Sequence, residues 1–217
     1  MLKAKFTSSN PNPNPSKFPR IGDHYSVGPV YRNLIYQMMK LNLHKNVLEI
    51  GCMNGYSTSA FTTALKDEAE FSLTLCDVHM TEAIIKSCPK EISLRKLHSV
   101  KVIDPSFDFI FVDGDHSIST VGQEIKLLLE CETKSILAHD TFIDSILRSQ
   151  QDPKWTGAVL LRQVFSNHKD YWAIHSASYN DTGQGGRGNF GKLGMSFFTR
   201  SEEIYEATKP LFAKCGC

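Results

Sequence analysis

Short apolar runs alternate with stretches of helical periodicity through the middle of this 217-residue chain. Strands separated by helices form βαβ units, and such units build a parallel sheet. The fourth run is almost continuously apolar, which is typical of a central strand that helices cover on both faces. The alternation therefore predicts an α/β fold with a doubly wound, mostly parallel sheet. The five runs span residues 46–50, 71–76, 93–97, 107–112 and 135–138.

The carboxyl-terminal part of the chain departs from this alternation. Residues 171–176 and 193–199 are strand-like runs, joined by the glycine-rich segment 183–191 without a helical stretch. Two strands without a crossover helix pair antiparallel, so the sheet is predicted to end in an antiparallel hairpin. The glycine-rich segment is either a hairpin connection or a lid over a substrate. Ser201 is expected to begin a final helix, which Pro210 should end or kink.

The amino-terminal residues have a different composition from the rest. Proline alternates with asparagine within residues 8–19, which excludes a helix or a central strand there. We therefore predict an extended arm over residues 1–30 and one domain over residues 31–217, a length that a single core can serve. An amphipathic helix is expected from Tyr31 onwards.

Charge and hydropathy exclude several classes of partner. The 24 basic and 23 acidic residues give a net charge of +1, so the chain lacks the basic footprint of a nucleic-acid-binding protein. Its apolar runs are shorter than the ~20 residues that span a bilayer, and its start lacks the apolar segment of a signal peptide. The six cysteines form neither CxxC pairs nor a disulfide scaffold, which favours a reducing, cytoplasmic compartment. A homo-oligomer is compatible with all of these features.

The first predicted strand leads into a turn with glycines at Gly51 and Gly55. This GxxxG spacing differs from the GxGxxG of dinucleotide sites, and the lysine of a phosphate-binding P-loop is absent. The turn alone is also compatible with an ordinary strand-to-helix connection. Asp77 ends the second strand, where a carboxylate can accept hydrogen bonds from both ribose hydroxyls. The alternative is that Asp77 only caps the turn that follows it.

Taken in order, Glu49-x-Gly51-x-x-x-Gly55, Asp77 and the segment 107–116, FDFIFVDGDH, resemble the class I S-adenosylmethionine-dependent methyltransferases. The stretches VDGDHS (112–117) and LAHDT (137–141) are similar to a branch dominated by small-molecule methyltransferases. This resemblance covers about residues 46–200. It implies a Rossmann-like seven-stranded sheet, S-adenosylmethionine as the cofactor and a small-molecule methyl acceptor, most simply a hydroxyl oxygen. The cofactor contacts that it implies are Glu49, Gly51, Cys52, Met53, Asn54, Gly55, Tyr56, Ser57, Asp77, Val78, Ser99 and Asp113.

Acid–base candidates follow the fourth and fifth strands. Methyl transfer is an in-line displacement that depends on positioning, and a hydroxyl nucleophile must also lose its proton. His116 is a suitable base at neutral pH, with Asp113 beside it; alternatively, His116 only stabilises its loop. Some relatives bind magnesium at this edge, and the implied ligands here are Asp113, His139 and Asp140. Magnesium prefers oxygen ligands, so His139 favours manganese or zinc, or else a metal-free hydrogen-bonded pair with Asp140.

Two other functions remain open from the sequence. One is a nicotinamide-dependent oxidoreductase on a similar sheet, which the GxxxG spacing disfavours. The other is a cofactor-binding scaffold without turnover that acts through a partner. The sequence does not indicate which molecule accepts the methyl group, because acceptor pockets are formed by loops, which carry no recognisable motif.

Overall fold

The computed structural model describes residues 27–53, 55–142, 156–176 and 194–215. These residues form seven strands, six α-helices and a 3₁₀ helix at Ser99–Lys101. The strands are β1 (Asn46–Ile50), β2 (Ser72–Cys76), β3 (Ser93–Arg95), β4 (Phe109–Val112), β5 (Ser135–His139), β6 (Trp172–Ser176) and β7 (Met195–Thr199). The helices are α1 (Pro29–Lys40), α2 (Tyr56–Lys66), α3 (Glu82–Ser87), α4 (Ile118–Glu130), α5 (Thr156–Ser166) and α6 (Glu202–Ala213).

All seven strands belong to one sheet with the order β3-β2-β1-β4-β5-β7-β6. Strands β1 to β5 pair in parallel, whereas β7 runs antiparallel to both β5 and β6. This confirms the predicted doubly wound, mostly parallel sheet with an antiparallel hairpin at its end. The strand order reverses between β1 and β4, so the loops after these two strands flank the crevice where ligands bind in such sheets.

The alternation of side chains along β4 explains its continuous apolar sequence. Phe109 and Phe111 pack into the core on one face of the sheet, which also contains Phe61 of α2. Ile110 and Val112 pack into the core on the other face, which contains Leu128 of α4. Successive side chains of a strand point to opposite faces, so a strand between two helical layers must be apolar at every position.

Helix α6 passes through Pro210 and continues to Ala213, so of the two outcomes expected at this proline, an end or a kink, the end is wrong. Proline removes one backbone hydrogen bond from the helix interior. The residues that follow are nevertheless buried: Leu211 is 4% exposed, and Phe212 is fully buried with its ring centroid 6.3 Å from that of Phe197. Burial of these two side chains stabilises the last turn more than the missing hydrogen bond weakens it.

Several predictions fall on residues that the structure does not describe. These are most of the arm (residues 1–26), Asn54 and the glycine-rich segment 183–191. The division into an arm and a domain stays a prediction, although α1 begins at Pro29, inside the range assigned to the arm. Within the described part of the chain, no helix is long and apolar enough to cross a membrane.

Candidate active site

A cavity of about 560 Å³ lies at the carboxyl ends of β1, β2, β3 and β4. Its size is in the range of small-molecule sites. We call it the edge cavity. Half of the twelve residues predicted to contact the cofactor line it: Gly51, Met53, Asp77, Val78, Ser99 and Asp113. The point where the strand order reverses therefore brings together residues that are widely separated in sequence.

Gly51 allows the loops after β1 and β4 to touch. Its φ is +86°, and a Cβ atom at this position would lie 2.1 Å from the carbonyl oxygen of Asp113. No residue with a side chain can fit there without moving one loop. At the other end of the turn, Gly55 has a φ of 76° and precedes the first residue of α2. Both glycines of the GxxxG spacing are thus required by the backbone.

Glu49 lies beneath this turn and is completely buried. The hydroxyl of Ser57 donates a hydrogen bond of 2.5 Å to its Oε1. Burial raises the pKa of Glu49 to about 8, so the carboxyl is mostly protonated at neutral pH. The side chain of Cys52 is also buried, as part of the core rather than of the cavity lining. Tyr56 is half-buried, with the guanidinium carbon of Arg32 5.3 Å from its ring centroid.

Asp77, directly after β2, stabilises the turn that follows β1. Its Oδ2 accepts a hydrogen bond of 2.8 Å from the backbone N–H of Met53, and its Oδ1 accepts one of 2.7 Å from the N–H of His79. The bond from His79 is the turn cap that the sequence left as the alternative. The carboxylate also lines the edge cavity. The carboxylate of Asp77 therefore has three roles. It caps its own turn, it positions Met53, and it faces the edge cavity.

Two aspartates and two histidines form a compact cluster beside the cavity, which we call the Asp–His cluster. Nδ1 of His139 lies 3.2 Å from Oδ1 of Asp113 and 3.2 Å from Oδ1 of Asp140. Nε2 of His116 lies 3.2 Å from Oδ2 of Asp140 and 3.9 Å from Oδ1 of Asp113. The structure thus brings together all the residues predicted for catalysis and for a metal.

The charges of the Asp–His cluster shift the pKa values of its members. Burial raises the pKa of Asp113, and the neighbouring His139 opposes part of this rise. Burial alone would lower the pKa of His116, but the hydrogen bond to Asp140 and the nearby carboxylates outweigh it and raise the pKa. The carboxylates therefore stabilise the imidazolium form of His116, the form that it takes after it accepts a proton.

The same cluster contains a set of possible metal ligands. Asp113, His139 and Asp140 each offer one ligand atom, and these atoms lie within 4.8 Å of one another. Asp140 has a φ of 57°, a left-handed conformation that aspartate tolerates better than most residues. Two carboxylate oxygens and one imidazole nitrogen suit manganese or zinc better than magnesium.

A comparison with protein-family models gives a match over residues 48–141, a little under half of the chain, to a model described as a methyltransferase domain. The match begins in β1 and ends just after β5, so it contains the glycine turn, Asp77 and the whole Asp–His cluster. Residues 48–141 are thus similar to a methyltransferase domain. No curated protein sequence matches the chain.

The fold of the chain recurs in solved structures. The O-methyltransferase TomG of Streptomyces achromogenes, involved in tomaymycin synthesis and solved with S-adenosylmethionine, has a TM-score of 0.58 and 16% identity, over 81% of each chain. An O-methyltransferase from Bacillus cereus, in complex with S-adenosylhomocysteine, has a TM-score of 0.59 and 18% identity, over 85% of this chain and 84% of its own. A Podospora anserina methyltransferase with S-adenosylhomocysteine bound has a TM-score of 0.59 and 13% identity, over 82% and 81%. At these identities the likeness shows the fold.

The sequence analysis assigned no cofactor or catalytic role to some residues that line the edge cavity. Asp115 and Thr120 are two of them. Asp115 accepts hydrogen bonds from the N–H of Ser117, 2.9 Å, and from the hydroxyl of Thr120, 2.7 Å. Burial alone would raise the pKa of Asp115, but these hydrogen bonds lower it. The sequence carried a signal only for the start of α4, because serine is a favoured N-cap residue and the Ser117 side chain does accept a hydrogen bond from the N–H of Thr120.

Proposed function

We propose that this protein is an S-adenosylmethionine-dependent methyltransferase that transfers a methyl group to a hydroxyl oxygen of a small molecule. One observation carries this proposal: Asp113 lines the edge cavity and also belongs to the Asp–His cluster. A cofactor in the cavity would therefore lie beside groups that can accept a proton. The compared structures support the cofactor, since each holds S-adenosylmethionine or S-adenosylhomocysteine.

The alternatives are less well supported. A nicotinamide-dependent oxidoreductase is disfavoured by the match of residues 48–141 to a methyltransferase model and by the GxxxG turn. A scaffold without turnover would need no buried acid–base groups at the end of its cofactor cavity. The Asp–His cluster favours chemistry over simple binding.

The cavity lining supports a proposed place for each part of the cofactor. Asp77 would accept hydrogen bonds from the ribose hydroxyls, as acids at the end of the second strand do in sheets of this type. The turn from Gly51 to Ser57, with Glu49 beneath it, would surround the methionine part; Cys52 would take part through its backbone, because its side chain is in the core. Ser99 would lie at the adenine end.

Catalysis would rest on positioning and on removal of one proton. Bound S-adenosylmethionine would supply the methyl group, which would pass from its sulfur to the acceptor oxygen with S-adenosylhomocysteine as the leaving group. The proton of the acceptor hydroxyl would pass to the imidazole of His116. General acid–base catalysis requires this imidazole to lie within hydrogen-bond reach of the acceptor. Asp140 would stabilise the resulting imidazolium, because its Oδ2 already lies 3.2 Å from Nε2 of His116.

The donor set of Asp113, His139 and Asp140 fits a divalent ion, and the imidazole favours manganese or zinc over magnesium. Such an ion would lower the pKa of a bound substrate hydroxyl. Where an ion binds, these three residues would hold it, and His116 would remain the group that receives the proton.

We also propose that the enzyme works in the cytoplasm. The five cysteines among the described residues are all free, which fits a reducing compartment. The net charge of +1 favours a small-molecule substrate over nucleic acid.

Binding of S-adenosylhomocysteine to an Asp77→Ala variant tests the proposal. Hydrogen bonds to a charged group are worth about 1.5–3 kcal/mol each, so loss of the ribose contacts should weaken affinity roughly 10- to 100-fold in calorimetry. Asp170→Ala is the control, because Asp170 is exposed beside Arg200 at the opposite edge of the sheet. Equal affinity of wild type and Asp77→Ala for S-adenosylhomocysteine would rule out the cofactor assignment. Methyl transfer to a panel of small hydroxyl compounds then tests the reaction itself, and tight binding without turnover would support the scaffold.

A further inference from the structure

The first turn of α5 contacts the loop that carries His116. The backbone N–H of Gly157, the second residue of α5, donates a hydrogen bond of 2.8 Å to the carbonyl oxygen of His116. The first N–H groups of a helix have no partner within the helix itself. The loop after β4 therefore supplies an acceptor that α5 needs, and α5 in turn fixes the position of that carbonyl group.

The absence of a side chain at Gly157 lets the helix approach the loop this closely. A Cβ atom at this position would lie 2.5 Å from the carbonyl oxygen of His116 and 2.8 Å from that of Ser117. It would also lie 2.7 Å from Cγ2 of Val121, a buried residue of α4. Because the position is enclosed by both the loop and α4, any side chain there would push the loop and α5 apart.

We propose that Gly157 is a positioning residue for methyl transfer, which holds the backbone of His116 so that the imidazole lies against Asp140. This inference rests on the proposed function, in which His116 receives the proton of the acceptor. Gly157 does not line the edge cavity, and it acts only through the backbone of His116.

The size of the effect follows from the geometry. The side chain of His116 is 13% exposed, and its Nε2 lies 3.2 Å from Oδ2 of Asp140, so a displaced backbone must carry the imidazole with it. Non-bonded carbon and oxygen atoms approach to about 3.3 Å, so relief of the 2.5 Å contact in Gly157→Ala requires a displacement of roughly 0.8 Å. A misplacement of about 1 Å can cost about 10²-fold in rate.

NMR spectra of the histidine imidazoles test the proposal in Gly157→Ala. The His116 signals are identified by their absence in His116→Gln. We expect them to move in Gly157→Ala, because the imidazole changes its distance from Asp140. The signals of His44 should not move, because His44 lies just before β1, at the opposite edge of the sheet, with its ring centroid 4.8 Å from that of Phe109.

Gly122→Ala is the matched control. Gly122 is a glycine of α4, and a Cβ atom there would meet nothing within 4 Å outside its own helix among the described residues. This variant should leave the His116 signals unchanged. Unmoved His116 signals in Gly157→Ala would overturn the inference. Shifts of equal size for His44 would overturn it too, because they would indicate a general change of structure.

The kinetics of methyl transfer give a second readout. With the hydroxyl compound that the wild type methylates fastest, kcat of Gly157→Ala should fall about 10²-fold. The KM for S-adenosylmethionine should stay within about threefold, because Gly157 lies outside the lining of the edge cavity. An unchanged kcat, or a loss confined to KM, would contradict a positioning role.

Hydrogen exchange of the wild type decides the matter where Gly157→Ala does not fold. The N–H of Gly157 should exchange slowly for a group in the first turn of a helix, because it donates to His116. Rapid exchange would overturn the inference. The two proposals also fail separately: an unchanged kcat in His116→Gln would remove His116 from the reaction and the role of Gly157 with it, whereas unmoved His116 signals overturn the role of Gly157 alone.

Discussion

Replacement of Glu49 by glutamine should change how the stability of the protein depends on pH. Glu49 is completely buried at the end of β1, and Ser57 donates to its Oε1. Burial raises its pKa from 4.5 to about 8. The folded protein therefore binds the carboxyl proton more tightly than the unfolded chain does, and ionisation opposes folding.

The sign and the size of the effect follow from the two pKa values. The stabilisation is fully present below about pH 4.5, where the carboxyl is protonated in both states, and it is lost as the pH rises through about 8. Over that whole pH range, the contribution of Glu49 to the free energy of unfolding falls by roughly 5 kcal/mol. Between pH 6 and pH 9, Glu49 alone should lower the free energy of unfolding by about 3 kcal/mol.

Urea unfolding of wild type and Glu49→Gln at pH 6 and pH 9 measures this effect. The difference between the two free energies of unfolding should shift by about 3 kcal/mol in favour of the variant at the higher pH, with similar m-values. Glu91→Gln, at an exposed position, is the control and should give no such shift. Parallel pH profiles for wild type and Glu49→Gln would refute the reasoning, because they would mean that Glu49 ionises in the fold at little cost.

Three further predictions concern the site. Gly51→Ala should abolish binding of S-adenosylhomocysteine and lower Tm, because its Cβ would lie 2.1 Å from the Asp113 carbonyl oxygen; retained binding by calorimetry would contradict this. His116→Gln should lower kcat about 10²- to 10⁴-fold while the Kd for S-adenosylhomocysteine stays within about threefold; an unchanged kcat would assign His116 to loop stabilisation. His139→Asp should shift the preferred ion from manganese towards magnesium in thermal-shift titrations, and equal responses of wild type and variant to both ions would argue against a metal site.

The sheet was predictable because its signal is local. Central strands between two helical layers must be apolar throughout, so β4 was recognisable, although it begins at Phe109 rather than at residue 107. The preceding Asp108 instead accepts hydrogen bonds from the N–H groups of Lys45 and Asn46, which no short-range pattern reveals. The course of α6 through Pro210 was unpredictable for a related reason, because burial of the next two residues decides it.

The site was predictable only in part. Motif residues at strand ends, such as Asp77 and Asp113, lie at the cavity because parallel strands bring their carboxyl ends to one edge. Cys52 belongs to the same motif, yet its side chain is in the core, since neighbouring residues in a turn face different ways. Glu124 did carry a signal, as a charged residue on the apolar stripe of a helix, but its burial could be found only from the fold.

In the proposed function, Asp113 sets the direction in which the cofactor would lie. The cavity extends from the loop after β4 towards the ends of β2 and β3, where Asp77 and Ser99 stand. The Asp–His cluster lies on the other side of Asp113, between β4 and β5. A cofactor with its ribose at Asp77 and its base at Ser99 must therefore turn its remaining, sulfonium-bearing part towards Asp113. Because the methyl group leaves from that sulfonium, the acceptor hydroxyl has to approach from the side of the cluster, where His116 can take its proton.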